Sequence, residues 1–207
     1  GVVMTDGGQR LATHANRKGQ QLGAPPLDKL LYERRVSQFA AIDAEAKLVM
    51  LGDSRVQEGE WAELLRMTEI ANRGINGDTT SGVLRRLRES VPTSAEICVI
   101  QIGVNDLLQR NPIDDVLRKY RSILSELKIG YPNLTVIVTA TIVTSGERPG
   151  LNLQIAELNS KLERLTHELK VAWIDPNQQL APRGIVDPRL TNDGTHLNGD
   201  AYKVFAN

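Results

Sequence analysis

The sequence predicts an α/β protein built on a parallel sheet with helices on both faces. Three observations carry that expectation. Five short apolar runs, mostly rich in Val and Ile, are bounded by turn residues; longer amphipathic segments lie between them; and 207 residues of 41% hydrophobic composition suffice to bury one continuous core. Strands alternating with helices of this length join through right-handed crossovers, which pair the strands in parallel and lay the helices on the sheet.

Taken in order, residues 1–26 are polar and Gly-rich and read as a flexible N-terminal arm. Asp28 to Ala46 then shows helical spacing, with Leu30, Leu31, Val36, Phe39, Ala40 and Ile42 largely on one side. The apolar runs are Lys47–Gly52, Glu69–Gly74, Glu96–Gly103, Thr135–Thr141 and Val171–Ile174. The second is the weakest, supported only by Ile70, Ala71 and Ile75. Helices are expected at about 57–67, 79–91, 112–130, 149–169 and 198–206. The fourth is the clearest, because Leu153, Ile155, Ala156, Leu158, Leu162, Leu165 and Leu169 recur at three- and four-residue steps. No internal repeat or low-complexity tract interrupts the pattern.

Composition narrows the function. Lys plus Arg equals Asp plus Glu at 25 each, so no overall field draws the chain to nucleic acid or an anionic membrane. No apolar run approaches the roughly 20 residues needed to span a bilayer, so no stable membrane insertion is expected. Residues 1–25 lack the apolar core of a signal peptide; the sequence does not choose between a cytoplasmic protein and an exported one whose signal has been removed. The single cysteine, Cys98, has no partner for an internal disulfide and sits in the apolar run Ile97-Cys98-Val99-Ile100, the setting of a buried inert thiol. Trp61 and Trp173 fall in a helix and a strand candidate and are expected in the core, which leaves no evident stacking platform for a sugar.

In open parallel sheets the ligand site lies beyond the carboxyl ends of the strands, so chemistry is sought in the loops that follow them. The first strand ends in Gly52-Asp53-Ser54, where a serine can present its hydroxyl at the sheet edge or simply cap a helix. The second ends in Gly74-Ile75-Asn76-Gly77-Asp78-Thr79; its glycines permit tight turns, and Asp78 or Thr79 can cap the next helix, leaving the Gly77 amide free to face an anion. The third ends in Gly103-Val104-Asn105-Asp106, where Asn105 can offer a side-chain amide to an oxyanion or form a turn. Near the C-terminus, Asp193 precedes His196 by three residues, a spacing that lets the carboxylate hold one ring nitrogen while the other faces outward. Of the other histidines, His14 lies in the arm and His167 in the Leu-rich helix, so His196 is the well-placed base. Taken singly, each of these is an ordinary turn or cap; taken together, in this order and on these loops, they read as a site.

The ordered set Gly52-Asp53-Ser54, Gly74 to Thr79, Gly103-x-Asn105-Asp106 and Asp193-x-x-His196 resembles the four blocks of the GDSL, or SGNH, hydrolase superfamily, over about Lys47 to Asn207. The resemblance implies a three-layer α/β/α sandwich of flavodoxin type with about five parallel strands, one hydrolase domain over 27–207. It implies Ser54 as nucleophile, His196 as base and then acid, and Asp193 as the residue orienting His196. The oxyanion donors would be the amides of Ser54 and Gly77 and the side chain of Asn105. The helix at 28–46 precedes the first block and reads as a local addition. No metal or organic cofactor is implied. The expected activity is hydrolysis of a small carboxylic ester, of a lipid or an acylated carbohydrate, with a short acyl or acetyl group favoured. An O-acyltransferase using a sugar or alcohol acceptor shares the chemistry up to the acyl-enzyme, and a binding module without catalysis is the reading of another class. By position alone, Thr144, Ser145, Glu147 and Arg148, in the Thr144–Pro149 loop after the fourth strand, are expected to line the pocket.

Overall fold

The computed structural model describes residues 27–42, 44–148 and 150–207. The expected arm at 1–26 lies outside the described residues. Five strands form one parallel sheet: β1 (Leu48–Gly52), β2 (Ile70–Gly74), β3 (Ile97–Gln101), β4 (Thr135–Thr139) and β5 (Ala172–Ile174), in the order β2-β1-β3-β4-β5. Strand order reverses at β1, whose Gly52 is in register with both Gly74 of β2 and Gln101 of β3. The crevice between the β1 and β3 ends is therefore where a ligand is expected.

Helices fill both faces. After α1 (Leu27–Ala41) and β1 come α2 (Ser54–Gln57) and α3 (Trp61–Leu65); after β2 come α4 (Thr80–Arg85) and α5 (Leu87–Ser90). After β3 follow α6 (Val104–Leu108) and α7 (Ile113–Gly130), and after β4 follows α8 (Leu151–Leu169). The chain finishes with α9 (Asn177–Leu180), a 3-10 turn at Pro188–Leu190, and α10 (Gly199–Phe205). One layer is made by α4, α7 and α8, which pack in a row. On the other, Trp61 of α3 meets Tyr202 and Phe205 of α10 edge-on at 5.8 and 5.5 Å. The core lies between, with Val49, Leu51, Cys98, Ile100 and Val138 of the sheet and Ile123, Leu127, Ile155 and Leu158 of the helices fully buried. Cys98 is buried as expected, and burial pushes its thiol up to about 12.

Several expected elements are shorter or divided. In place of the helix expected over 57–67, α2 ends at Gln57 and α3 runs only Trp61–Leu65; between them Gly59 lies against the Trp61 ring, where a Cβ would come within 2.4 Å of it. The helix expected over 79–91 breaks at Arg86, whose backbone leaves helical geometry as its side chain turns into the core. The N-terminal helix ends at Ala41; beyond it the Ala46 amide donates to Ser94 Oγ at 3.1 Å and the Lys47 amide to the Glu69 carbonyl at 2.9 Å, which draws the chain into the sheet. Of its expected apolar side only Phe39 is buried, under the guanidinium groups of Arg35, Arg73 and Arg86 at 5.2, 4.6 and 5.7 Å. Leu31 and Ile42 are exposed, as are Leu153 and Ala156 on α8. Trp61 is buried as expected, with its Nε1 donating to the Val56 carbonyl at 2.7 Å, and Trp173 packs half-buried against the core.

Candidate active site

Ser54 is the first residue of α2, two residues beyond the end of β1. The turn is fixed by Asp53, which caps α2 by accepting the Arg55 amide at 3.0 Å. The strand can run this close to its neighbours because Gly52 has no side chain: a Cβ there would stand 2.0 Å from the Gln101 carbonyl oxygen. Asp53 is wholly buried, its Oδ2 has no partner among the described residues, and burial pushes its carboxyl up to about 6, opposed by the nearby Arg55.

His196 arrives from the far end of the chain. Its loop is closed by an antiparallel bridge between Thr191 and Leu197 and turned at Gly194 (φ +81°), whose amide donates to Thr191 Oγ1 at 2.9 Å. Asp193 Oδ1 accepts the amides of Thr195 and His196 at 2.9 and 2.8 Å, and Oδ2 lies 2.6 Å from His196 Nδ1. The His196 bond, with those two amides, holds the Asp193 carboxyl well below the usual carboxylate range. An ionised Asp193 makes Nδ1 the protonated nitrogen and leaves Nε2 as an acceptor, and Nε2 lies 3.1 Å from Ser54 Oγ. The structure thus brings Ser54, His196 and Asp193 into one hydrogen-bonded line.

Gly77 and Asn105 come from the two strand ends that flank β1. Gly77 sits at φ +75°, exposed, and an added Cβ would meet no atom within 4 Å, so its requirement is conformational. The neighbouring Asn76 amide donates to Gln57 Oε1 at 2.8 Å. Among the described residues, the amides of Ser54 and Gly77 have no protein acceptor. Asn105 donates through Nδ2 to the Asp78 carbonyl at 2.9 Å, which fixes the amide's direction and leaves its second hydrogen available. Thr79 caps α4 by accepting the Gly82 amide at 3.3 Å.

Sequence reasoning missed the groups that hold these loops. Asp106 accepts both the Thr80 amide and its hydroxyl, at 2.9 and 2.7 Å, joining the third strand's loop to the second's. Buried Arg86 pairs with Asp78 at 2.8 Å and donates to the Gly52 carbonyl at 3.0 Å, beneath the Ser54 turn. Asp106 stands inside a block already singled out; Arg86 carried no signal, because an Arg in an amphipathic helix reads as surface.

The loop after β4 runs beside the loop that carries His196. Thr144 is buried against Asn152, and the Ser145 amide is committed to the Gly194 carbonyl at 2.8 Å. Glu147 stands beside Gly194. Arg148 borders a cavity of about 720 Å³ with Leu107, Arg110, Leu151 and Gln154. Pro149 lies outside the described residues. A second cavity, of about 510 Å³, opens beside Asn76 and Gly77 with Tyr32, Arg34 and Gln38 of α1 as one wall. Among the described residues no cluster of three or more His, Cys, Asp or Glu is arranged to hold a metal.

Comparison with known proteins bears on this arrangement. The sequence pattern of the "GDSL-like Lipase/Acylhydrolase family" matches residues 50–204. The N-acylneuraminate cytidylyltransferase of Streptococcus agalactiae is 24% identical over 181 residues, covering 86% of this chain but 41% of its own length. The chain thus spans about two fifths of that relative. The human platelet-activating factor acetylhydrolase IB subunit alpha2 is 29% identical over 169 residues, 77% of this chain and 72% of that one. A GDSL-like lipase from Bacteroides thetaiotaomicron shares the fold with a TM-score of 0.72 at 24% identity, over 84% of this chain and 93% of that one.

Proposed function

Since the chain belongs to the GDSL-like lipase/acylhydrolase family, we propose that it is a hydrolase acting on esters and that it cleaves a carboxylic ester with a short acyl group, acetyl above all, through an acyl-Ser54 intermediate. The observation that carries this reading is the 3.1 Å contact of Ser54 Oγ with His196 Nε2, backed by the 2.6 Å contact of Nδ1 with Asp193. Ser54 Oγ attacks the ester carbonyl carbon while its proton passes to Nε2. The carbonyl oxygen takes the electron pair and is held by the Ser54 and Gly77 amides and the free Asn105 hydrogen. As the oxyanion collapses, the bond to the alcohol oxygen breaks and His196 hands that oxygen its proton. Water, deprotonated in turn by His196, releases the carboxylic acid and restores Ser54. Asp193 stays ionised throughout and steadies the imidazolium.

The acetyl preference draws on the relative named for acetyl hydrolysis. In a panel of p-nitrophenyl esters, acetate should give the highest kcat/KM, and an optimum at long acyl chains would overturn the short-acyl reading. Ser54→Ala should abolish nearly all turnover with the fold intact, and retained turnover would remove Ser54 as nucleophile.

A further inference from the structure

Arg55 follows Ser54 directly and is wholly buried. A buried guanidinium is costly unless its hydrogens find acceptors. Here Nε donates to the Thr195 carbonyl at 3.0 Å and Nη1 to the Ile142 carbonyl at 2.5 Å. Nη2 is buried without a protein acceptor among the described residues, so those two carbonyls set the group's direction. The Arg55 carbonyl in turn accepts from the Tyr202 hydroxyl at 2.8 Å. Thr195 is the residue before His196, Ile142 lies just past β4, and Tyr202 is in α10, so each of these long-range bonds ends in the segment that carries His196 or on the strand end beside it. Among the described residues, the side-chain hydrogen bonds between 53–57 and 191–198 are Arg55 to Thr195 and His196 to Ser54.

We propose that Arg55 is a positioning residue that sets the Ser54–His196 distance, by clamping the carbonyl beside the base to the residue beside the nucleophile. The inference rests on the reading of Ser54 as nucleophile and His196 as base. The Asp193–His196 pair is held within its own loop by three short bonds. Those bonds fix the loop's internal geometry but not its place against Ser54, which is set from the β4 side by the Ser145 amide on the Gly194 carbonyl and from the Ser54 side by Arg55. A misplacement of about 1 Å at reacting atoms costs on the order of 100-fold in rate. The carboxylate of Asp53 stands near enough to offset the buried charge, which suits Arg and Lys at this position over a neutral group.

The test is steady-state hydrolysis of p-nitrophenyl acetate by wild type, Ser54→Ala, Arg55→Met and Arg55→Lys, with rates referred to the folded fraction. Arg55→Met, which keeps the stem and loses both donors, should lower kcat by about 30- to 100-fold with KM within about twofold. Arg55→Lys keeps the charge and one donor and should recover part of the loss. If Arg55→Met does not fold, Arg55→Lys carries the test alone, with kcat about tenfold below wild type at unchanged KM. Wild-type kcat per folded site in the variants, or a rise in KM that accounts for the whole effect, overturns the proposal. Turnover surviving in Ser54→Ala would instead overturn the nucleophile assignment, so the two failures are distinguishable.

Discussion

At Asp53 a carboxyl sits one residue from Ser54 with no access to water, and burial raises it to about 6. An unfolded chain would hold the same group near the ordinary value of about 3.9. Between those values the folded protein binds a proton that the unfolded chain does not, so this group makes stability rise as pH falls through about 6. Asp78 is raised too, chiefly by its own burial, and pushes the same way, so Asp53 must be isolated by difference. Urea unfolding at pH 7.5 and pH 5 should show that wild type gains on the order of 1 kcal/mol from this source and that Asp53→Asn lacks the gain. Identical pH dependence in the two proteins would show that Asp53 does not titrate in that window.

Among the elements, the α4–α5 break has the most to test. Arg86 interrupts the helix in order to reach Asp78 and the Gly52 carbonyl, and also bonds Ser90 Oγ at 2.8 Å. Arg86→Met would leave Asp78 buried without its counter-charge and should cost about 3–5 kcal/mol, read from the denaturation midpoint. Removing Arg121, whose bond to Glu168 is exposed, should leave the midpoint near wild type. The same break shows what sequence can and cannot tell. Strands β1, β3 and β4 were legible because a parallel strand inside the sheet writes itself as a short apolar run, whereas the edge strand β2, with Asn72 and Arg73, was the faintest. The helix breaks at Gly59 and Arg86 were not legible, since each answers to a partner distant in space or to one side chain's fit. Likewise Ser54, Asp193 and His196 stood out as ordered motifs, whereas Arg55 read only as a charged residue after a serine. Its partners are main-chain carbonyls of Ile142 and Thr195, and no residue type announces a carbonyl.

For the molecule as a whole, parallel pairing and a site drawn from residues 54 and 196 mean that the decisive contacts are long in sequence. Such topologies fold slowly, because loop closure must precede the contacts that compensate it. Trp61 offers a direct view of the last closure, since its ring packs on Tyr202 and Phe205 of α10. In a Trp173→Phe background the remaining tryptophan signal should return on refolding at the same rate as esterase activity. Activity lagging behind that signal would mean that the His196 loop docks in a separate, later step. The edge-on contact of Trp61 with α10 also has a consequence for how the protein is made. A ribosome delivers Ser54 long before His196, so under the proposed roles the nascent chain would carry its nucleophile through most of synthesis with no base to arm it. Reactivity would then switch on with the arrival of the closing segment, and the crowded interval of translation would pass with the serine inert.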